Sequence, residues 1–515
     1  MNNFSIVNGK MSLIDAVRTG NKDKVLSLSQ SNLLWTQTKG NTLLHITAKK
    51  SKSDILEILI SAGLDVNKKN NHGNTALYLS AVQNDFKAVE ILILSGANPN
   101  ISNNSNDMPL HAAIRNTNLN MVKILLEHGS NTHIKNKYGD FPLSIAVWKK
   151  QPEIVKYLIK FGANPMIDRS ILHFAIEHKN NELVKLLISA GTDLNVQNKY
   201  GYTPLHLATE QNNKELVDIL VKAGADLNIR NRLLRTPLHI ATLKNYREIS
   251  CLLISAGSDL EISNKNGQTV LHIAADQNDK ELIKFLISSG VNLNMQDVND
   301  STILHLAAEQ KNKVLIEILL KAGADLNIQN KQGFTPLMIL IEEEYSEMAL
   351  EIIKLKPKLN FKSNKGKTAL IYSIINKLDK VTLELIQAGA DLNIQDKEGN
   401  TALHYADNHI LEELIKAGAD LNIKNNLKLT VLMDAAYKND VDLVKMLIFA
   451  GADLDIQAFA GFTVLMQAAL SKNMEIIKLL ILGGANLHIQ NWSEETAFHY
   501  LNMRNIFTFN YLKDF

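Results

Sequence analysis

The Thr-Pro-Leu-His run of residues 203–206 returns as residues 236–239, and altered versions begin at Thr269, Thr302, Thr335, Thr368 and Thr401, each 33 residues after the last. A fixed period over most of a chain constrains the fold more than any property of its composition. Each period is one small unit that cannot bury its apolar faces alone, so neighbouring units must stack. Length therefore stops being a guide to domain number, because a stack grows without needing a second core. The repeat also changes what a motif means: a word found a dozen times is scaffold, and specificity has to be sought between its copies.

Residues 199–228 illustrate one period. Thr203 is placed to cap a helix, its hydroxyl accepting a backbone N–H of the first turn. Pro204 follows where a missing N–H costs nothing. Leu205, Leu207 and Ala208 supply the apolar positions of a short helix that stops at Asn212 and Asn213. Leu216, Val217, Ile219, Leu220 and Val221 give the apolar spacing of a second helix, ended by Gly224. An extended finger with Leu227 and Ile229 facing inward leads to the next unit.

Gly201-Tyr-Thr-Pro-Leu-His-Leu-Ala208 and Leu220-Val-Lys-Ala-Gly-Ala-Asp-Leu-Asn228, recurring at this length, resemble the ankyrin repeat over roughly residues 12–510. The resemblance implies an all-α repeat solenoid, an ankyrin superhelix of stacked helix-turn-helix units with β-hairpin-like fingers. Counting by the His206 slot gives about sixteen units, from Ile14 to His499. The expected organisation is a degenerate N-terminal capping repeat at 1–38, repeats at 39–337, a degenerate repeat at 338–362, repeats at 363–491 and a C-terminal capping unit at 492–515. The step from Ser144 to His173 is only 29 residues, from a finger truncated around Pro165 to Arg169. The step from His404 to Met433 is also 29, from a shortened helix pair. At 338–362 the usual Gly-Ala gives way to Lys356-Pro357 after Glu342 to Glu344. That departure reads either as drift in a tolerant array or as a hinge.

Chemistry-bearing patterns are poor. Nine of the fifteen histidines fall in the repeat slot. Stacked slots lie about 8–10 Å apart, too far to share one metal ion, and the resemblance implies hydrogen bonding within and between repeats instead. Gly366-Lys-Thr368 ends like a phosphate loop, but Phe361 stands where its first glycine belongs. Cys251 has no recognisable base beside it and, as the single cysteine, excludes an internal disulfide framework. No catalytic, cofactor-binding or metal-binding residue is assigned, and no enzyme activity is expected.

The 55 basic and 53 acidic residues nearly cancel, unlike the footprint of a nucleic-acid binder. Met1 to Lys10 lacks a long apolar run, and no segment approaches the ~20 residues of a membrane span. The expectation is a cytoplasmic monomer that neither binds nucleic acid nor inserts into a membrane.

By the resemblance, function lies on the concave face and finger tips. The slot four residues after the marker reads basic and aromatic at first (Lys49, Arg115, Trp148). It is then acidic (Glu177, Glu210, Asp276, Glu309) and finally apolar (Ile375, Tyr437, Leu470). The carboxylates suit a basic peptide or helix. Tyr200, Tyr202, Phe334, Phe459 and Trp492 add aromatic finger residues of the kind favoured at interface centres. The leading expectation is a non-catalytic scaffold that binds a partner protein. Two alternatives stand beside it: an effector of a host-associated intracellular bacterium, delivered into a host cell and acting on a host protein, and a regulatory arm of an enzyme complex.

Overall fold

The computed structural model describes residues 13–28 and 38–503. Parts of both expected capping units, 1–12, 29–37 and 504–515, lie outside the described residues. The chain divides into two compact units, Met1–Asp259 and Leu260–Phe515. Each is a stack of short helix pairs, giving an all-α repeat solenoid. Among the described residues there is no β-strand, only an isolated bridge between Gln490 and Thr496. The fingers are therefore turns rather than paired strands.

In the first unit, the pair Pro204–Glu210 and Lys214–Lys222 shows why the sequence folds this way. The Thr203 hydroxyl accepts the His206 N–H at 3.3 Å, and the Thr203 N–H donates back to His206 Nδ1 at 3.1 Å. This is a reciprocal helix cap with histidine in place of the usual Glu or Gln. Asn213 caps the second helix by accepting the Leu216 N–H at 3.1 Å. Helices of seven and nine residues are unstable alone. Burial of Leu205, Ala208, Leu216, Val217 and Leu220 against neighbours stabilises them, at about 1.5–3 kcal/mol for each large side chain. First helices pack on first helices, as Pro204–Glu210 does on Pro237–Leu243, and second helices pack on second helices.

Polar ladders join the fingers. Asn195 Oδ1 accepts the Asp226 N–H at 2.9 Å, Asn327 Oδ1 that of Lys358 at 2.7 Å, and Asn422 Oδ1 that of Asp453 at 2.9 Å, each 31 residues on. Gln197 Nε2 donates both to the Gly201 carbonyl of its own finger and to the Arg230 carbonyl of the next. Gln457 repeats the arrangement with Gly461 and Gln490 in the second unit.

The irregular units have local solutions. Where the finger before His173 is truncated, the Ser144 hydroxyl donates to Asp168. In the unit marked by His404 the first helix shrinks to a three-residue turn, Ala402–His404, and Asp407 caps the following helix Asn408–Lys416. At 338–362 both helices keep their usual lengths, as Pro336–Glu342 and Ser346–Lys354, and Lys356 takes the left-handed backbone otherwise held by glycine, with φ 55°. No helix of the described residues is long and apolar enough to cross a membrane.

Candidate partner-binding surface

The histidine slot is structural. His206 Nδ1 accepts the Thr203 N–H, which leaves the proton on Nε2, and Nε2 donates to the Arg235 carbonyl of the next repeat at 3.0 Å. His45, His173 and His305 reach the carbonyls of Asn74, Tyr202 and Phe334 in the same way, at 2.8, 2.9 and 3.1 Å. Burial, only partly offset by the bond to Arg235, lowers the pKa of His206 to about 4. Burial likewise depresses His45, His111, His272, His305 and His404. Among the described residues no three His, Cys, Asp or Glu side chains gather as a metal site.

In most repeats the slot four residues after the marker ends the first helix, and at Arg115 and Asp276 it bonds to its own finger. Arg115 Nη2 donates to Asp107 Oδ1 at 2.5 Å, and Gln268 Nε2 donates to Asp276 Oδ2 at 2.9 Å. In the first unit Trp148 is 36% exposed, and Glu177 is exposed at the end of Ile171–Glu177. Glu210 is already paired: Lys244 Nζ lies 2.8 Å from its Oε1, and the pair raises the pKa of Lys244. Tyr200 is exposed, with Lys199 Nζ 4.9 Å from its ring centre. Tyr202 is half-buried and packs on His206 at 5.5 Å.

In the second unit the carboxylates stand differently. Burial raises the pKa of Asp276, with Asp297 adding to the rise and Gln268 opposing it. Glu309 is exposed, yet partial desolvation raises its pKa, and the charged groups that add to the rise are carboxylates: Asp297, Glu343 and Asp276. Glu343 is itself paired with Lys311 at 3.2 Å. Sequence reasoning passed over Asp297. Asn198, Asn231, Asn264 and Asn330 hold that slot in other fingers, accepting the N–H groups of the turn, and Asp297 does the same work towards Asn299 and Ser301. The break in the asparagine series was the available signal for an added charge.

The aromatic residues of this unit divide into two kinds. Phe334 is half-buried and packs on Tyr372 at 5.1 Å, so it serves the stack. Tyr437, Phe459 and Trp492 are 72%, 72% and 74% exposed. Phe459 and Trp492, in successive fingers, have ring centres 5.6 Å apart.

Among curated proteins none matches this chain. A family profile described as Ankyrin repeats (3 copies) matches residues 13–103, 80–169, 172–264, 248–330, 271–360, 312–396, 337–425, 376–458 and 432–513. Repeats of this kind are generally protein–protein interaction modules and typically non-catalytic. The matched segments span the stacked helix pairs, their capping boxes and the bonded histidines, and the chain belongs to the ankyrin-repeat family.

Proposed function

We propose that this chain is a scaffold that holds a basic segment of a partner protein against the second unit. The observation that carries the reading is the environment of Glu309, a solvent-exposed carboxylate whose charged neighbours Asp297, Glu343 and Asp276 are all carboxylates. A lysine or arginine from a partner relieves that repulsion, and at low salt the same field speeds encounter. The repeats supply a rigid surface, so little ordering cost falls on binding. Glu210 contributes less in this account, because Lys244 already neutralises it; Glu177, Trp148 and Tyr200 belong to the accessible surface of the first unit.

The test is binding of a lysine-rich helical peptide to the full chain by fluorescence anisotropy, at low and at physiological salt. Asp276→Lys with Glu309→Lys is expected to weaken binding at least tenfold, and added salt to weaken wild-type binding. Equal affinity for wild type and the charge-reversed chain overturns the reading.

A further inference from the structure

We infer that the last two fingers form an aromatic cleft that receives a cationic side chain, of the guanidinium kind, from a partner protein. Two large rings are held open to solvent by the backbone rather than by chance. The Trp492 N–H donates to the Ala460 carbonyl at 3.0 Å, which fixes one finger against the other. Gly461 lies directly beneath the indole: a Cβ there would sit 2.8 Å from Trp492 Cδ1. The rings of Phe459 and Trp492 stand 56° apart in tilt, a wedge open to solvent rather than a closed stack.

The rest of the chain shows what such rings take up. Exposed Tyr138 has Lys137 Nζ 4.9 Å from its ring centre, and exposed Tyr200 has Lys199 at the same distance. In both cases the lysine precedes the tip residue of the same finger. In the last two fingers Phe459 and Trp492 themselves occupy that lysine slot, so these fingers have lost the cation and gained the ring. Among the described residues no lysine or arginine stands over either ring. The same turn carries Glu494, exposed and without an ion pair among the described residues. Ring faces and a carboxylate together are complementary to arginine, whose flat, weakly hydrated cation stacks on aromatic surfaces while donating to an acid. An apolar segment would leave Glu494 unmatched at its edge.

This deepens the partner-binding reading, and rests on it only for the source of the cation. The experiment uses the full chain labelled with fluorotryptophan, the Trp492 fluorine signal being identified by its loss in Trp492→Phe. The probes are a flexible Gly-Ser peptide bearing two arginines and its citrulline twin, which keeps the shape and removes the charge. The expected result is a saturable shift of the Trp492 signal with the arginine peptide alone. Phe459→Ala is expected to weaken it about 2- to 30-fold, and Glu494→Gln by a smaller factor. An unchanged Trp492 signal without peptide and an unchanged helical circular-dichroism spectrum show that each variant is folded around the cleft. Equal shifts with both peptides, no shift at millimolar peptide, or a shift that depends on protein concentration without peptide each overturn the inference. If Asp276→Lys with Glu309→Lys abolishes lysine-peptide binding while Trp492 stays silent to arginine, the cleft fails and the acidic-face reading survives. The reverse pattern separates them the other way.

Discussion

Two left-handed positions show how differently the same backbone angle can be stabilised. Gly267 has φ 70°, and a Cβ there would fall 2.6 Å from the Val298 backbone nitrogen of the next finger. It is glycine for two reasons, torsion and space. Lys356 has φ 55° at the end of Ser346–Lys354, where the matching glycines of other repeats, such as Gly323, have nothing within 4 Å of a built Cβ. Only torsion is at stake there. Gly267→Ala is therefore expected to destabilise the chain by more than about 2 kcal/mol, since strain and a backbone collision add. Lys356→Gly is expected to stabilise it by up to about 1 kcal/mol, the relief of strain being offset by extra freedom in the unfolded chain. Urea denaturation of the two variants and wild type measures both, and a destabilised Lys356→Gly would show that the lysine side chain contributes more than its backbone costs.

At the scale of one helix and its finger, the acidic face of the second unit sets binding against stability. Asp276 ends Val270–Asp276 and Glu309 ends Ile303–Glu309. Both have pKa values raised above those of the unfolded chain, burial being the main cause. A raised carboxylate favours the protonated native form, so ionisation at neutral pH works against folding. Asp276→Asn and Glu309→Gln are expected to raise the denaturation midpoint slightly, each by under about 1 kcal/mol after allowance for solvent screening. The same variants are expected to weaken basic-peptide binding. Variants that lose stability would show these carboxylates to be structural.

The period was readable at this scale because capping and apolar spacing are local: Thr203, Pro204 and Gly224 declare their roles from sequence alone. The fingers were readable in position but not in form, since whether turns widen into strands depends on pairing across repeats. The site was half readable. Spacing put Asp276, Glu309 and Trp492 on accessible slots, but it could not tell that Lys244 neutralises Glu210, that Asp297 joins the acidic group, or that Tyr202 and Phe334 turn to their neighbours.

Across the molecule the buried histidines make stability a function of pH. The folded pKa of His206 is about 4, against 6.5 in the unfolded chain, and five others are lowered in the same direction. Between those values the unfolded chain binds more protons, so stability rises with pH through the window. The contribution is fully present above about pH 6.5 and is lost as pH falls towards 4. For His206 alone it is on the order of 3 kcal/mol. The raised carboxylates act in the opposite sense but are fewer. Denaturation midpoints at pH 7.5, 6.5, 5.5 and 4.5 are expected to fall steadily, and His206→Gln to flatten the slope. A midpoint unchanged down to pH 4.5 would show that the imidazoles stay solvated.

The asparagine ladder carries a last consequence, for how a chain this long finds its fold. Each rung closes a short loop, of 31 residues where it starts at Asn195, Asn327 or Asn422 and of 27 where it starts at Asn393. Loop-closure entropy therefore does not grow with chain length, because no rung waits on a distant partner. Folding can begin at any well-formed pair of repeats and advance outwards in steps of equal cost, so adding a repeat adds time in proportion rather than a new topological search.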